Sequence, residues 1–392
     1  MQRGNFSRRN WLKKASLLTT GLGSIALGGE LVASEAGASL IKQDTLGNSE
    51  EDFIRLFYNE NPYGPPATAL AKVMEVANRA NRYATFATYD FDALRDKIAE
   101  EEGLTKDHVL LGHGSFQPII WLAEHFIRQG GNIIVPSPTF DIVGGYGHRL
   151  GATIKTIEVN ENMTMDLVEM ERAVDQQTRL VCLCNPNNPT GVLTDPALMD
   201  DFCESVSNRC TVLVDEAYLQ YVDAMPNWRD ASMVHHLQEG RNVVVSRTFS
   251  KIYGMAGFRI GYLLGPPDLI RQLSDRFTLG FPGNMPNTMS VAAAMGALED
   301  QSFLAMSNRK NATTKTTFYQ HLEALDLPYI PTQANFVYFE LPDFGRFKQM
   351  MNDNKILLAG GWPTQPNWAR VTLGKSEEMD VFYDLLRSED WR

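Results

Sequence analysis

Cysteine is scarce in this 392-residue chain, and none of its four copies, Cys182, Cys184, Cys203 and Cys210, stands in a C-x-x-C or other zinc-binding spacing. A disulfide-stapled miniprotein is therefore excluded, no metal is expected, and the four read as small core residues in apolar surroundings. Basic charge is also short: 36 Lys and Arg against 47 Asp and Glu leave a net charge of −11, with no Lys/Arg stripe interleaved with aromatics. Such a chain repels a phosphate backbone, so nucleic acid is not an expected partner. The uncharged stretch 15–29 is too short and too rich in glycine to serve as the ~20-residue apolar helix that spans a bilayer. There are no internal repeats and no low-complexity segments, and 44% hydrophobic with 21% charged residues excludes a disordered or collagen-like chain. At roughly 150 residues per domain, this length corresponds to two or three domains.

What is present begins with an address. Ser7-Arg8-Arg9-Asn10-Trp11-Leu12-Lys13-Lys14 precedes the apolar stretch, and Ala36-Gly37-Ala38 offers a small-residue cleavage site. Paired arginines followed by an aromatic, Leu and Lys resemble the twin-arginine export signal of bacteria. That resemblance implies a signal peptide over 1–38, the twin-arginine export machinery as a partner, and a periplasmic protein exported already folded with any cofactor in place.

After Glu50 short apolar runs at 109–111, 132–135, 180–183, 212–214 and 243–245 alternate with amphipathic stretches at 94–102, 119–128, 167–175 and 197–206. This alternation predicts an α/β fold, with βαβ units and a mostly parallel sheet covered by helices on both faces. From about Met289 the pattern changes to one long helical stretch through 325, strands at 335–340 and 369–372, and helices at 344–352 and 377–386. The expected organisation is a large domain over 80–288 and a smaller α+β domain over 289–392. The segment 39–79 is expected to pack with the small domain.

Ligand sites in open α/β sheets lie where strands end and helices begin, so polar residues just after apolar runs carry the most weight. Gly112-His113-Gly114-Ser115-Phe116 follows one strand and opens a helix, a turn suited to phosphate. It lacks the third glycine of G-x-G-x-x-G, which disfavours a nicotinamide site. Asn185-Pro186-Asn187-Asn188-Pro189-Thr190-Gly191 makes a stiff turn with projecting amides. Asp215-Glu216-Ala217-Tyr218 places a carboxylate at the end of a buried strand, where it is costly without a cation. Ser246-Arg247-Thr248-Phe249-Ser250-Lys251, with Arg259 eight residues on, sets a lysine among hydroxyls, where burial and nearby cations lower an amine's pKa.

In this order and spacing the four motifs resemble the fold-type I pyridoxal-phosphate enzymes, and among them the histidinol-phosphate aminotransferase group of the class I/II aminotransferases. The resemblance runs from about Arg55 to the C-terminus and takes in Asn59-Glu60-Asn61-Pro62-Tyr63-Gly64 and Ala369-Arg370-Val371-Thr372. It implies a seven-stranded type of large-domain sheet and pyridoxal 5′-phosphate as cofactor. Lys251 would hold the cofactor as an imine and carry a proton between Cα and cofactor, Asp215 would face the ring nitrogen, and Asn188 with Tyr218 would meet the ring's phenolic oxygen. Ser115 and Phe116 backbone amides, Thr248, Ser250 and Arg259 would meet the phosphate, and Phe140 would stack on the ring. Arg370, with Asn335 beside it, would grip an α-carboxylate, and Asn61 and Tyr63 are further substrate-binding candidates. In such homodimers a tyrosine from the neighbouring subunit reaches the cofactor phosphate; Tyr83 is the candidate, with Tyr89 its rival.

The expected activity moves an amino group from an amino acid to a 2-oxo acid. A lyase or decarboxylase on the same scaffold, histidinol-phosphate aminotransferase proper, and a non-catalytic envelope protein that merely retains the cofactor are the alternatives. One departure bears on substrate. Relatives that act on histidinol phosphate carry an arginine after an apolar strand of the small domain, and its place here, in Lys355-Ile356-Leu357-Leu358-Ala359-Gly360-Gly361-Trp362, falls on Ala359. The glycines and tryptophan suggest a loop shaping a pocket for a neutral or aromatic side chain.

Overall fold

The computed structural model describes residues 53–82, 91–281, 286–388 and 390–392. Along the chain, β1 (Ile54–Leu56), α1 (Ala67–Ala77) and α2 (Phe91–Glu101) precede the first long βα series. That series comprises β2 (Val109–Gly112), α3 (Phe116–Ile127), β3 (Asn132–Ser137), α4 (Ile142–Arg149), β4 (Thr153–Glu158), α5 (Leu167–Ala173), β5 (Thr178–Cys184) and α6 (Pro196–Ser207). It continues through β6 (Thr211–Asp215), α7 (His235–Gln238), β7 (Val243–Thr248), β8 (Gly261–Leu264) and α8 (Pro267–Phe277). The remainder is α9 (Thr288–Glu299), α10 (Gln301–Ala324), β9 (Tyr329–Ile330), β10 (Phe336–Glu340), α11 (Phe344–Asp353), β11 (Ile356–Trp362), β12 (Gln365–Thr372) and α12 (Ser376–Arg387).

The apolar strands β2, β5, β6 and β7 are buried on both faces, which requires a helical layer on each side. They form a seven-stranded sheet in the order β2-β8-β7-β6-β5-β3-β4, parallel except for β8, which runs antiparallel to both neighbours. One core lies on each face: Val181, Val214 and Val245 point to one, Leu180, Leu213 and Val244 to the other. The register sets Cys184 opposite Asp215 and Asp215 opposite Ser246, so β5 and β6 end level and β7 runs two residues beyond them.

A second sheet, in the order β1-β11-β12-β10-β9, has its own core of Phe318, Phe339, Phe347, Phe382 and Trp391. Here β1 pairs parallel with β11 at the edge, whereas α1 lies along α9 and sends Ala69 into the core of the large sheet.

Three expectations need correcting. The helical stretch 289–325 is two helices, broken at Asp300, whose carboxylate caps α10 by accepting from the Phe303 amide. The strands β4 and β8 were not anticipated, because β4 is half exposed and β8 is only four residues long. Gly360-Gly361-Trp362 is not a loop: β11 runs through it into a bulged hairpin with β12. Gly361 has φ +72°, and a Cβ there would lie 3.1 Å from the Phe344 ring, so glycine lets the bulge form beneath that ring.

Candidate active site

β6 and β7 deliver Asp215 and Thr248 to the same place, where the turn after β5 brings Asn188, because alternate residues on a strand face opposite ways. Asp215 faces a cavity of about 550 Å³, within the range of small-ligand sites. Its neighbour Glu216 faces away and takes Arg247, at 2.8 Å, into a buried ion network with Glu102. Arg247 is therefore occupied in structure, and the cavity receives Thr248 from the end of β7 and Ser250 and Lys251 from the turn beyond it.

The cavity wall also contains Ser115, Phe116, Phe140, Asn188, Tyr218, Arg259 and Arg370, so residues scattered over 256 sequence positions meet in one site. Phe140 presents a ring that is 45% exposed. Asn61, Tyr63 and Asn335 do not line this cavity. Asn61 is buried and donates to the Ile252 carbonyl and Ser307, Tyr63 stacks under Lys310, and Asn335 donates to the carbonyls of Asn59 and Glu60. These three support the wall from behind. Tyr83 and Tyr89 lie outside the described residues, as do Arg8, Arg9 and the whole of 1–38.

Electrostatics at the floor are set by desolvation. Burial pushes the Asp215 carboxyl up to about 6 even though the Ser246 hydroxyl donates to it at 2.5 Å. Burial, aided by repulsion from Arg370, brings the Lys251 amine down to about 7, against weaker opposition from Glu60 and Asp215. A neutral amine is thus available near neutral pH, and a buried acid awaits a positive partner. Burial also holds the Tyr218 phenol well above its ordinary range, so it keeps its proton.

The segment 57–60, which sequence reasoning did not assign to the cofactor site, crosses the cavity and takes up its polar groups. Arg370 donates to the Phe57 carbonyl at 2.6 Å and to Asn188 Oδ1 at 2.5 Å, Lys251 Nζ donates to the Tyr58 carbonyl at 2.9 Å, and Asn59 Nδ2 donates to the Tyr218 hydroxyl at 2.9 Å. These partners are more than 150 positions away in sequence, and no local pattern signals them.

At the other end, α3 opens with no side-chain cap and no acidic residue in its first turn. Arg259 projects there with no carboxylate partner among the described residues, bonding only Ser250 and the Ala256 carbonyl. Gly114, at φ +65°, lies so close that a Cβ would sit 2.6 Å from the Arg259 guanidinium. Free helix-end amides, an uncommitted guanidinium and two hydroxyls make a phosphate site. In the opposite wall the Nε of Arg370 is buried without any partner. An anion site, a buried carboxylate and a neutral lysine around one cavity fit pyridoxal phosphate.

Comparison with known proteins agrees with this geometry. Residues 51–386 match the family described as aminotransferase class I and II. A histidinol-phosphate aminotransferase of Moorella thermoacetica is 34% identical over 343 residues, covering 86% of this chain and 85% of its own. A solved structure from Erwinia carotovora atroseptica, named provisionally as a histidinol-phosphate aminotransferase, superposes with a TM-score of 0.80 at 29% identity, covering 86% of this chain and 96% of that one. The histidinol-phosphate aminotransferase of Sinorhizobium meliloti, solved with pyridoxal-5′-phosphate, shares the fold with a TM-score of 0.72 at 23% identity, covering 92% and 99%.

Proposed function

Because this chain belongs to the class I and II aminotransferases, we propose that it is a pyridoxal-phosphate-dependent enzyme whose amino donor is a free α-amino acid with a neutral or aromatic side chain, working as an exported homodimer. Lys251 would hold the cofactor through Nζ, Asp215 would face its ring nitrogen, and Asn188 and Tyr218 its phenolic oxygen. Ser115, Phe116, Thr248, Ser250 and Arg259 would hold its phosphate, with Phe140 against the ring and Tyr83 of the partner subunit completing the phosphate site. When bound, the cofactor supplies the electron sink that lets the substrate's Cα release a proton.

The chain's own groups do the rest. Lys251 Nζ, with its pKa brought down to about 7, accepts and returns that proton near neutral pH. Arg370 grips the α-carboxylate with its planar fork, exchanging Asn188 and the Phe57 carbonyl for the substrate. The donor leaves as a 2-oxo acid, and a second 2-oxo acid takes up the amino group.

One observation carries the substrate reading: among the described residues the wall holds three cations, Lys251, Arg259 and Arg370, and each already has a partner in the cofactor or the carboxylate. None remains for a substrate phosphate. Ala359 pairs directly with Arg370 across β11 and β12, so it faces the same side and offers only a methyl group there. Lys355 precedes Ala359 by four positions, about 13 Å along the strand. Trp362 instead lies beside Arg370, its ring 5.8 Å from the guanidinium, and packs edge-on to Tyr338 at 5.3 Å. The export reading rests on Arg8 and Arg9, and the dimer on the family.

A screen of amino acids and histidinol phosphate against the holoenzyme, following conversion of the cofactor's absorption, tests this. Aromatic and neutral amino acids should convert it, and histidinol phosphate should be poorer by roughly a hundredfold or more in kcat/KM, the equivalent of ~3 kcal/mol for one missing two-pronged contact. A clear preference for histidinol phosphate overturns the substrate assignment.

A further inference from the structure

Away from the cavity, α6 and α7 bring three potential ligands together. Asp200 Oδ1 lies 2.7 Å from His235 Nε2 and 2.9 Å from His236 Nε2, and one donor atom from each of the three residues falls within 4.8 Å of the others. His235 Nδ1 is 3.1 Å from the Ser232 carbonyl and donates to it, which fixes the ring and directs Nε2 at Asp200. His236 is only 2% exposed, yet neither of its ring nitrogens makes a hydrogen bond. His236 Nε2 thus lies close to the Asp200 carboxylate without the alignment of a hydrogen bond, a costly state for a buried polar group. A metal ion satisfies all three.

We propose that Asp200, His235 and His236 form a binding site for one divalent transition-metal ion of the zinc type. Two imidazoles and a carboxylate suit Zn²⁺, Co²⁺ or Ni²⁺ and not Mg²⁺ or Ca²⁺, which want oxygen donors throughout. Tetrahedral bonds of about 2.0–2.1 Å place ligand atoms about 3.3 Å apart, so the two carboxylate–imidazole separations of 2.7 and 2.9 Å need to open by about half an ångström. The Asp200 and His235 side chains are 47% and 43% exposed, which gives an ion access and leaves its fourth position to water. The 35 positions between Asp200 and His235 hide the site from motif reading, which expected no metal.

The test is titration of tag-free, chelator-treated holoenzyme with ZnCl₂ by calorimetry and with CoCl₂ by visible absorption. One ion per chain at micromolar concentration, with tetrahedral cobalt bands, is the expected result. Asp200→Ala and His235→Ala, both half-exposed and so compatible with folding, should each weaken binding by roughly tenfold or more and abolish the bands. Lys251→Ala, which removes the covalent hold on the cofactor, should leave zinc binding unchanged. Absence of binding at a tenfold excess of ion, or equal binding by both ligand variants and the parent, overturns the proposal.

Discussion

Replacing Ala359 by arginine should move the enzyme toward a phosphorylated donor. Ala359 and Arg370 are a directly opposed pair, so their Cβ atoms stand about 5 Å apart on one face. Two guanidinium groups some 7 Å apart at an effective dielectric near 20 repel by about 2 kcal/mol. A two-pronged contact to a phosphate dianion returns about 3 kcal/mol. If repulsion persists in the complex, the net gain is about 1 kcal/mol, roughly fivefold; if the dianion bridges both arginines and cancels it, the gain approaches roughly 150-fold. Steady-state kcat/KM for histidinol phosphate in Ala359→Arg, measured against the parent, should therefore rise by a factor within those bounds. The value for an aromatic amino acid, whose single carboxylate cannot serve two guanidiniums, should fall. Ala359→Met, of comparable length but uncharged, separates charge from bulk and should lose activity on both donors. An unchanged ratio in Ala359→Arg, or a rise matched by the methionine variant, would refute the placement of Ala359 beside the substrate anion.

Lys251→Ala should keep the fold and some cofactor while losing the borohydride-reducible adduct, because Asp215 and Arg259 remain; an adduct at parental level, seen by mass spectrometry, rules the assignment out. Recapture of cofactor by the apoenzyme should accelerate as pH rises through about 7 and level off above, since the attacking species is the neutral amine and the Lys251 pKa is brought down to that value; a midpoint near the ordinary lysine pKa in stopped-flow absorption contradicts the desolvation argument. Glu216→Ala should lower stability by about 3–5 kcal/mol in denaturant titration, because it leaves buried Arg247 with Glu102 as its one carboxylate beside the Ser232 hydroxyl, and a cost below 1 kcal/mol would show that Arg247 finds other partners. Replacing Arg8 and Arg9 by lysine should leave active enzyme in the cytoplasm on cell fractionation, and unchanged accumulation outside the inner membrane would count against the twin-arginine reading.

The parallel sheet was legible in the sequence because strands buried on both faces read as uninterrupted Val, Leu and Ile, and turns between them carry Gly, Pro and Asn. The groups at Ser115, Asn188, Asp215 and Lys251 were legible for the same reason, each standing within six residues of such a run. β8 was not, because four residues of antiparallel strand lack a periodicity that distinguishes them from a turn. The break at Asp300 was hidden by apolar spacing that continues across it, and only the capping carboxylate marks it. The bulged course of 360–362 was misread since paired glycines signal a loop unless a ring such as Phe344 covers them.

Contacts that bind the site together belong to a different class of information. Arg370 reaches the Phe57 carbonyl across 313 positions, the Tyr58 carbonyl accepts from Lys251, and Asn59 donates its amide to the Tyr218 hydroxyl. Backbone carbonyls accept from any donor whatever the side chain above them, so the residue types of Phe57 and Tyr58 do not betray the role. The same segment is tied down by Asn335 and by Thr372, which receives the Asn59 amide at 2.9 Å. The residue that sequence reasoning assigned to substrate binding beside Arg370 thus acts through that segment, and any weakening of Asn335 should loosen the groups that Arg370 and Lys251 must release before a carboxylate and a carbonyl can replace them.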